Sequence, residues 1–504
     1  MFHYNFDKSD FFCYFKKVFY NMVVLLLVYN LLLRTRFQLD TYFATTTGYN
    51  AMNLSLGRYF THLVEMFFFH IGINLFKINK IVLLLMLISS SILVVTITDT
   101  LHHIFLMKNK NIKFINLNIF VLVMFINIFI LEILTFPDNY IFSLISLFLF
   151  TFLVKSLYIY FVENKRIYLF FFAVLTFLLV SVYQVTITFI CIFSSVVIGI
   201  INDFKFNKKM IKDLIYVYGI VFFNILINVG ILKVLQKFNI VSETVRDVSF
   251  TSINDKLNTI IEGSKYIWVY GCRLLPKYFL LSYLIIFLLL IVYFFIQPKY
   301  IIKQKYFLLF FIIFSILVVY SPHIITKTSW IVPRTLRSVG ELISGQLIIL
   351  TFVFFERKKI QIFLNYLSII FILVNSIVIN SIISDQITTN SIDKFIANTI
   401  ISKIKNHEES TGDEIKKICI VSDKNPTYFD YNYIKYGDMD INRRAFSIDW
   451  AKYDAFEYYY GKKLIRVKNS DNYIKEKLND NDWKNFNPDK QIFINNDTIY
   501  YISY

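Results

Sequence analysis

The run 81–107 is apolar along almost its whole length and is interrupted by a single carboxylate, Asp99. Such a stretch has few places to go. About 20 apolar residues wound as a helix cross the ~30 Å hydrocarbon core of a bilayer, where each backbone N–H and C=O must be paired inside the segment. Similar runs recur as far as Ile383, parted by short breaks such as KNKNIK at 108–113 and ENKR at 163–166. With 56% hydrophobic residues, a water-soluble domain would expose more apolar surface than solution tolerates. The pattern predicts an α-helical polytopic membrane protein of about 11 spans.

The spans are expected at 18–33, 81–107, 117–136, 141–162, 214–232, 278–296, 306–319, 339–355 and 360–383. The run 167–201 would cover roughly 50 Å as one helix, too long for a single span, and is split at Ser181–Gln184 into two short helices. Lys and Arg gather in alternate breaks, whereas the short turns at Pro137–Tyr140 and Ser181–Gln184 have none. By the positive-inside rule the basic tail 1–17 lies in the cytoplasm, and Asp40 and the C-terminal part lie outside. The formal charge of +17 sits mostly in these breaks, where orientation and lipid-headgroup contact account for it without nucleic acid. Segment 53–76, with Arg58, His62 and Glu65 at helical spacings, reads as an amphipathic helix lying along the outer leaflet. From residue 384 the chain turns polar. Short strands at 418–421 and 464–467, a helix within 448–460 and a hairpin across 495–497 predict a small extracytoplasmic α/β domain, 384–504, after a membrane domain, 1–383. Cys13, Cys191, Cys272 and Cys419 lack metal-ligand spacing.

The spans are nearly free of charge, with Asp99, Glu132 and Lys155 as exceptions, so polar residues at the outer ends stand out. Asp40 follows the first span and suits a general base that takes a proton from a hydroxyl nucleophile; a solvated loop aspartate is the plainer alternative. Arg58 suits a phosphate by charge-assisted hydrogen bonds or, equally, snorkels to lipid headgroups. Arg334 and Arg337, spaced i,i+3 after Pro333, share one face and are candidates to stabilise a leaving phosphate, or form a basic rim against anionic lipid. Tyr183 and Gln184, at the outer end of a split span, suit recognition of sugar hydroxyls, although a glutamine there more often hydrogen-bonds another helix.

Taken together, Asp40 with Tyr42, Gly57-Arg58-Tyr59 further on, Tyr183-Gln184 mid-chain and Pro333-Arg334 before a late span resemble the GtrII family of bacterial glucosyltransferases over about the whole membrane part. The resemblance implies a GT-C architecture in the bacterial inner membrane with its site facing away from the cytoplasm. It implies an inverting transfer of a hexose, typically glucose, from a polyprenyl-phosphate-sugar donor to a lipid-linked glycan acceptor such as O-antigen. A donor synthase and a flippase would be functional partners, with membrane lipids around them. Asp40 matches the acidic residue of the first external loop. Many such enzymes carry a second acid beside it, but Leu39 and Thr41 flank Asp40 here, which weakens a metal site; no cofactor is implied, and a divalent metal stays open. A polysaccharide polymerase would share this chemistry. A lipid-linked-sugar transporter or flippase should instead show internal repeats and broken or charged helices at mid-membrane.

Overall fold

The computed structural model describes residues 8–34, 37–47, 52–244, 253–297, 302–326, 331–421, 443–468 and 487–502. Parts of the expected basic tail, of the segment 233–277 and of the breaks 297–305 and 321–338 lie outside them. After α1 (Lys8–Tyr29) come three short helices, α2 (Leu39–Thr47), α3 (Met52–Ser55) and α4 (Tyr59–His70). The bundle continues with α5 (Asn79–Met107), α6 (Phe114–Phe125), α7 (Ile128–Leu134), α8 (Tyr140–Glu163), α9 (Ile167–Val182), α10 (Thr186–Ile201) and α11 (Lys208–Lys237). It is completed by α12 (Ile253–Ser264), α13 (Phe279–Ile296), α14 (Ile302–Ile325), α15 (Ser338–Val353) and α16 (Lys358–Thr411).

Among the described residues, eight helices are long and apolar enough to cross a membrane, so the chain is a polytopic helical membrane protein by length and composition. Helices stand at every segment the sequence marks as a span, but three of those segments do not meet that test as single helices. The chain expected to cross once at 117–136 is instead bent by 54° between α6 and α7. In the split run, α9 and α10 have 16 residues each, which at 1.5 Å per residue reach only ~24 Å. The expected helix 53–76 is broken into α3 and α4 at Gly57, where φ is +72°.

The central helix is α15. Together with the 3-10 turn Pro333–Leu336 it is the most enclosed candidate span, with nearly all of its residues buried, and it packs on α6, α10, α14 and α16. Its small residues make that possible: Ser344 donates to the Phe120 carbonyl at 2.7 Å, and Gly345 meets Val196 and Ile192. The bend between α6 and α7 is built by Asn127. Its Oδ1 accepts from the N–H groups of Phe129 and Ile130, both at 3.1 Å, capping α7, while its Nδ2 donates to the carbonyls of Val123 and Met124 that α6 leaves open. The N–H of Ile128 goes to Asn375 Oδ1 of α16. Four backbone groups freed by the break are thus satisfied by one buried side chain, which allows the break inside an apolar bundle.

The chain does not break at residue 384. With 54 residues α16 extends ~80 Å, far beyond a ~30 Å hydrocarbon core, and carries the polar C-terminal part away from the bundle. There α17 (Lys452–Tyr460) and α18 (Pro488–Gln491) accompany a four-stranded sheet in the order β2-β1-β4-β3. Strand β1 (Lys417–Val421) runs parallel to β2 (Ile465–Arg466) and β4 (Thr498–Ile502), and β3 (Ile492–Asn495) forms the hairpin with β4. The expected strands, helix and hairpin are all present. The described cysteines are all free.

Glycine at 340 is required by the Asn127 cap. A Cβ there would lie 2.4 Å from Asn127 Nδ2 and 2.9 Å from its Cγ, and that side chain cannot yield without losing its hydrogen bonds. Gly340→Ala, which would stabilise an ordinary helix interior, is expected here to destabilise the protein by about 1–3 kcal/mol, read as a lowered thermal midpoint in detergent.

Candidate active site

One cavity of about 740 Å³ opens at the end of the bundle where α1 finishes and α15 begins. Asp40, Arg58, Tyr183, Arg334 and Arg337 all line it, drawn from four separate parts of the chain. Its apolar walls include Leu25 and Tyr29 of α1, Met86 and Leu87 of α5, and Leu147 and Phe150 of α8. Glu65 and Asn53 also line it, so a second carboxylate shares the space with Asp40 although none is adjacent in sequence.

Asp40 stands in the first turn of α2, not in an irregular loop as the sequence suggests. It is exposed, whereas Leu39, Thr41 and Tyr42 around it are buried. The open N–H groups of a helix's first turn favour a negative charge there.

Arg58 sits on a turn that is tied down on three sides. Asn228 of α11 donates to the Gly57 carbonyl at 3.0 Å and accepts at its own carbonyl from the Tyr59 hydroxyl at 2.7 Å. Gln184 Nε2 donates to the Leu56 carbonyl at 2.6 Å, and Thr61 donates to the Val182 carbonyl at 3.0 Å. Glycine at 57 serves twice, for its positive φ and because a Cβ would stand 3.1 Å from Asn228 Oδ1 and 3.3 Å from Gln184 Nε2. Held this way, the Arg58 guanidinium lies over the Tyr183 ring, 4.8 Å from its centroid, with Nη1 donating to Asn53 at 3.3 Å. Asn53 in turn donates to Glu65 at 2.7 Å. Tyr183 reaches this position because α9 ends before it and its backbone is extended. Gln184, expected to contact substrate, is not among the lining residues. Its amide holds the turn that carries Arg58, where its plainer reading was a hydrogen bond to another helix. Burial pushes the His62 imidazole below its ordinary range, toward the neutral form.

Arg334 and Arg337 are not a basic rim against lipid. Each is mostly buried and each is paired. Glu132 of α7, 1% exposed, accepts from Arg334 Nη1 and from the Arg334 backbone N–H, both at 2.6 Å. The same carboxylate therefore neutralises the side chain and takes an open donor of the 3-10 turn. Arg337 Nε donates to Glu341, one turn on, at 3.1 Å. Phe136 and Phe150 lie 5.1 and 5.3 Å from the two guanidinium carbons. Glu132 was visible in the sequence only as a charge interrupting an apolar run, and Glu341 carried no signal beyond lying four residues after Arg337. The Asn127 bend is what carries Glu132 to Arg334.

The cavity therefore joins three guanidinium groups and two carboxylates, with two further carboxylates behind them, to an apolar wall. Such a space suits an amphiphile with an anionic head and a hydrocarbon tail. Among the described residues no three His, Cys, Asp or Glu side chains come together as a metal site. The fold and site define a polytopic helical membrane protein with a cavity of charged and apolar lining at one end and a polar α/β domain beyond it. No protein-family model, no curated protein and no solved structure matches the chain.

Removing Glu132 alone strands a mostly buried guanidinium. Glu132→Ala is expected to cost about 3–5 kcal/mol, seen as a fall in the thermal midpoint, and Glu132→Ala with Arg334→Met to recover most of it.

Proposed function

We propose that the protein is an integral-membrane glycosyltransferase. It moves a hexose, glucose by the resemblance to the GtrII family, from a polyprenyl-phosphate donor to a cell-surface glycan such as O-antigen. The observation that carries this reading is the convergence of an exposed carboxylate and three arginines over an apolar wall in one cavity. The site then faces the extracytoplasmic side of a bacterial inner membrane, as the basic breaks argue. A donor of this class keeps its tail among apolar side chains and its sugar-phosphate at the charged end.

In this mechanism Asp40 takes the proton of an acceptor hydroxyl as that oxygen attacks the anomeric carbon. The bond from that carbon to the phosphate oxygen breaks with inversion, and polyprenyl phosphate leaves. Arg58, Arg334 and Arg337 meet the charge that develops on the leaving phosphate. Because Glu132 and Glu341 already orient two of these guanidiniums, little reorganisation accompanies the reaction. A guanidinium has five donors, and Arg337 commits its Nε to Glu341, which leaves the rest of its fork for a phosphate. Arg58, steadied on Tyr183, approaches from the opposite part of the chain. A polymerase would use the same chemistry. The span broken at Asn127, with Glu132 buried after it, is a feature a flippase would share, but a flippase needs a path to both faces, and the cavity's charges gather at one end.

Membranes holding matched amounts of wild type or Asp40→Asn, supplied with polyprenyl-phosphate glucose and host glycan, test the reading. Transfer is expected to fall by about 10²–10⁴-fold in the variant, the usual contribution of a general base. Equal transfer would remove Asp40 from that role, and no transfer by wild type with several donor sugars would count against the enzyme class.

A further inference from the structure

The segment that carries Asp40 does not belong to the core of the membrane bundle. Phe37, Leu39 and Tyr42 are buried in one apolar cluster with Ile396, Ile400, Phe446 and Phe456 of the C-terminal part. The backbone ahead of α2 is clamped by the extension of α16. Asn390 accepts from the Phe37 N–H at 2.7 Å through Oδ1 and donates to the Phe37 carbonyl at 3.0 Å through Nδ2. Gln386 donates to the same carbonyl at 3.2 Å and to Gln38 Oε1 at 3.1 Å.

A second clamp comes from α17. The Phe37 and Tyr42 rings stack 4.7 Å apart and within 8° of parallel. Tyr458 packs on Phe37 at 4.6 Å, and the Tyr459 and Tyr42 hydroxyls are 3.1 Å apart. Phe76, which lines the cavity, lies on Phe37 at 4.8 Å. Leu39 and Tyr42, spaced i,i+3, are buried on α2 together with Thr41, and Asp40 is left exposed beside them at the cavity. The direction in which Asp40 points is therefore set by what grips those residues.

We propose that the C-terminal domain is a positioning element of the active site, with Asn390 and Tyr459 as the residues that hold the Asp40-bearing helix in register with the arginine-lined cavity. This rests on the reading of Asp40 as the base. The two clamps act on a helix of 9 residues, too short to hold its own conformation. A carboxylate displaced by about 1 Å from its proton can lose ~100-fold in rate.

The test uses the full chain with Asn390→Ala, Tyr459→Ala and the milder Tyr459→Phe, which keeps the ring. Active molecules are counted by titration with radiolabelled polyprenyl-phosphate glucose, and turnover is expressed per donor-binding site. The expected result is a fall of about 10–100-fold in kcat per site for the alanine variants, donor KM within about twofold of wild type, and a much smaller loss for Tyr459→Phe. A merely structural role would lower the number of sites and leave turnover per site unchanged, which would overturn the proposal. Asp40→Asn in the same assay separates the two ideas. Full turnover by Asp40→Asn sinks the base assignment, whereas an inactive Asp40→Asn beside fully active alanine variants sinks the positioning role alone. Amide exchange over residues 37–47 supplies a readout without substrate. It should rise at least ~10-fold in the alanine variants while α5 and α15 stay protected, and unchanged exchange would also overturn the proposal.

Discussion

The site depends on the burial of carboxylates against arginines at the end of an apolar bundle. Glu132 and Glu341 are almost fully enclosed, where an unpaired charge is very costly. Each therefore needs a guanidinium, and each arginine so held is turned into a fixed donor. The Asn127 bend exists in the service of this pairing: it starts a new helix, α7, whose direction brings Glu132 to the start of the turn at Pro333. The bend is in turn sustained by Asn375 and by the room that Gly340 leaves.

The paired arginines change the electrostatic character of the cavity. Free, they would present a strong positive field that any anionic lipid would enter. Paired, each guanidinium is partly offset by its carboxylate and held in a fixed geometry, so that an anion meeting it would be met by geometry as much as by charge. Arg58 is held differently, by an aromatic face and by the Asn53 amide, which leads on to Glu65. The cavity thus mixes rigid, buried donors on one side with a turn-borne donor on the other, and places the exposed Asp40 on a short helix gripped from outside the bundle.

The amino-acid sequence made much of this legible. Hydrophobic run length marked a helix at each expected span, because a bilayer-spanning helix must be both long and apolar, but it gave no sign of the polar α12 or of the break between α6 and α7. Asp40, Arg58, Tyr183, Arg334 and Arg337 were visible as polar residues at span ends, and they come together in one cavity. The strands and the hairpin of the C-terminal part were readable from their short apolar runs and from the Asn-Asn-Asp turn. Less could be read where a residue's role depends on a distant neighbour. Gln184 is chemically suited to a sugar hydroxyl but meets the Leu56 carbonyl, and Glu341 showed no sign of its burial.

By itself, then, the sequence determined that the chain is a multi-span helical bundle with a polar α/β end, and which polar residues stand at the ends of the spans. Those are properties of local periodicity and of apolar length. Tertiary structure alone decided that a span breaks at Asn127, that the arginines are paired, and that the helix bearing Asp40 is seated on the C-terminal domain. The physical reason lies in the partners. Most of these features satisfy buried polar groups or apolar faces through residues hundreds of positions away, such as Asn390 on Phe37, Arg334 on Glu132 and Asn375 on Ile128, and no local pattern records such a partner. Arg337 and Glu341 are only one turn apart, but their burial is set by the helices packed around them.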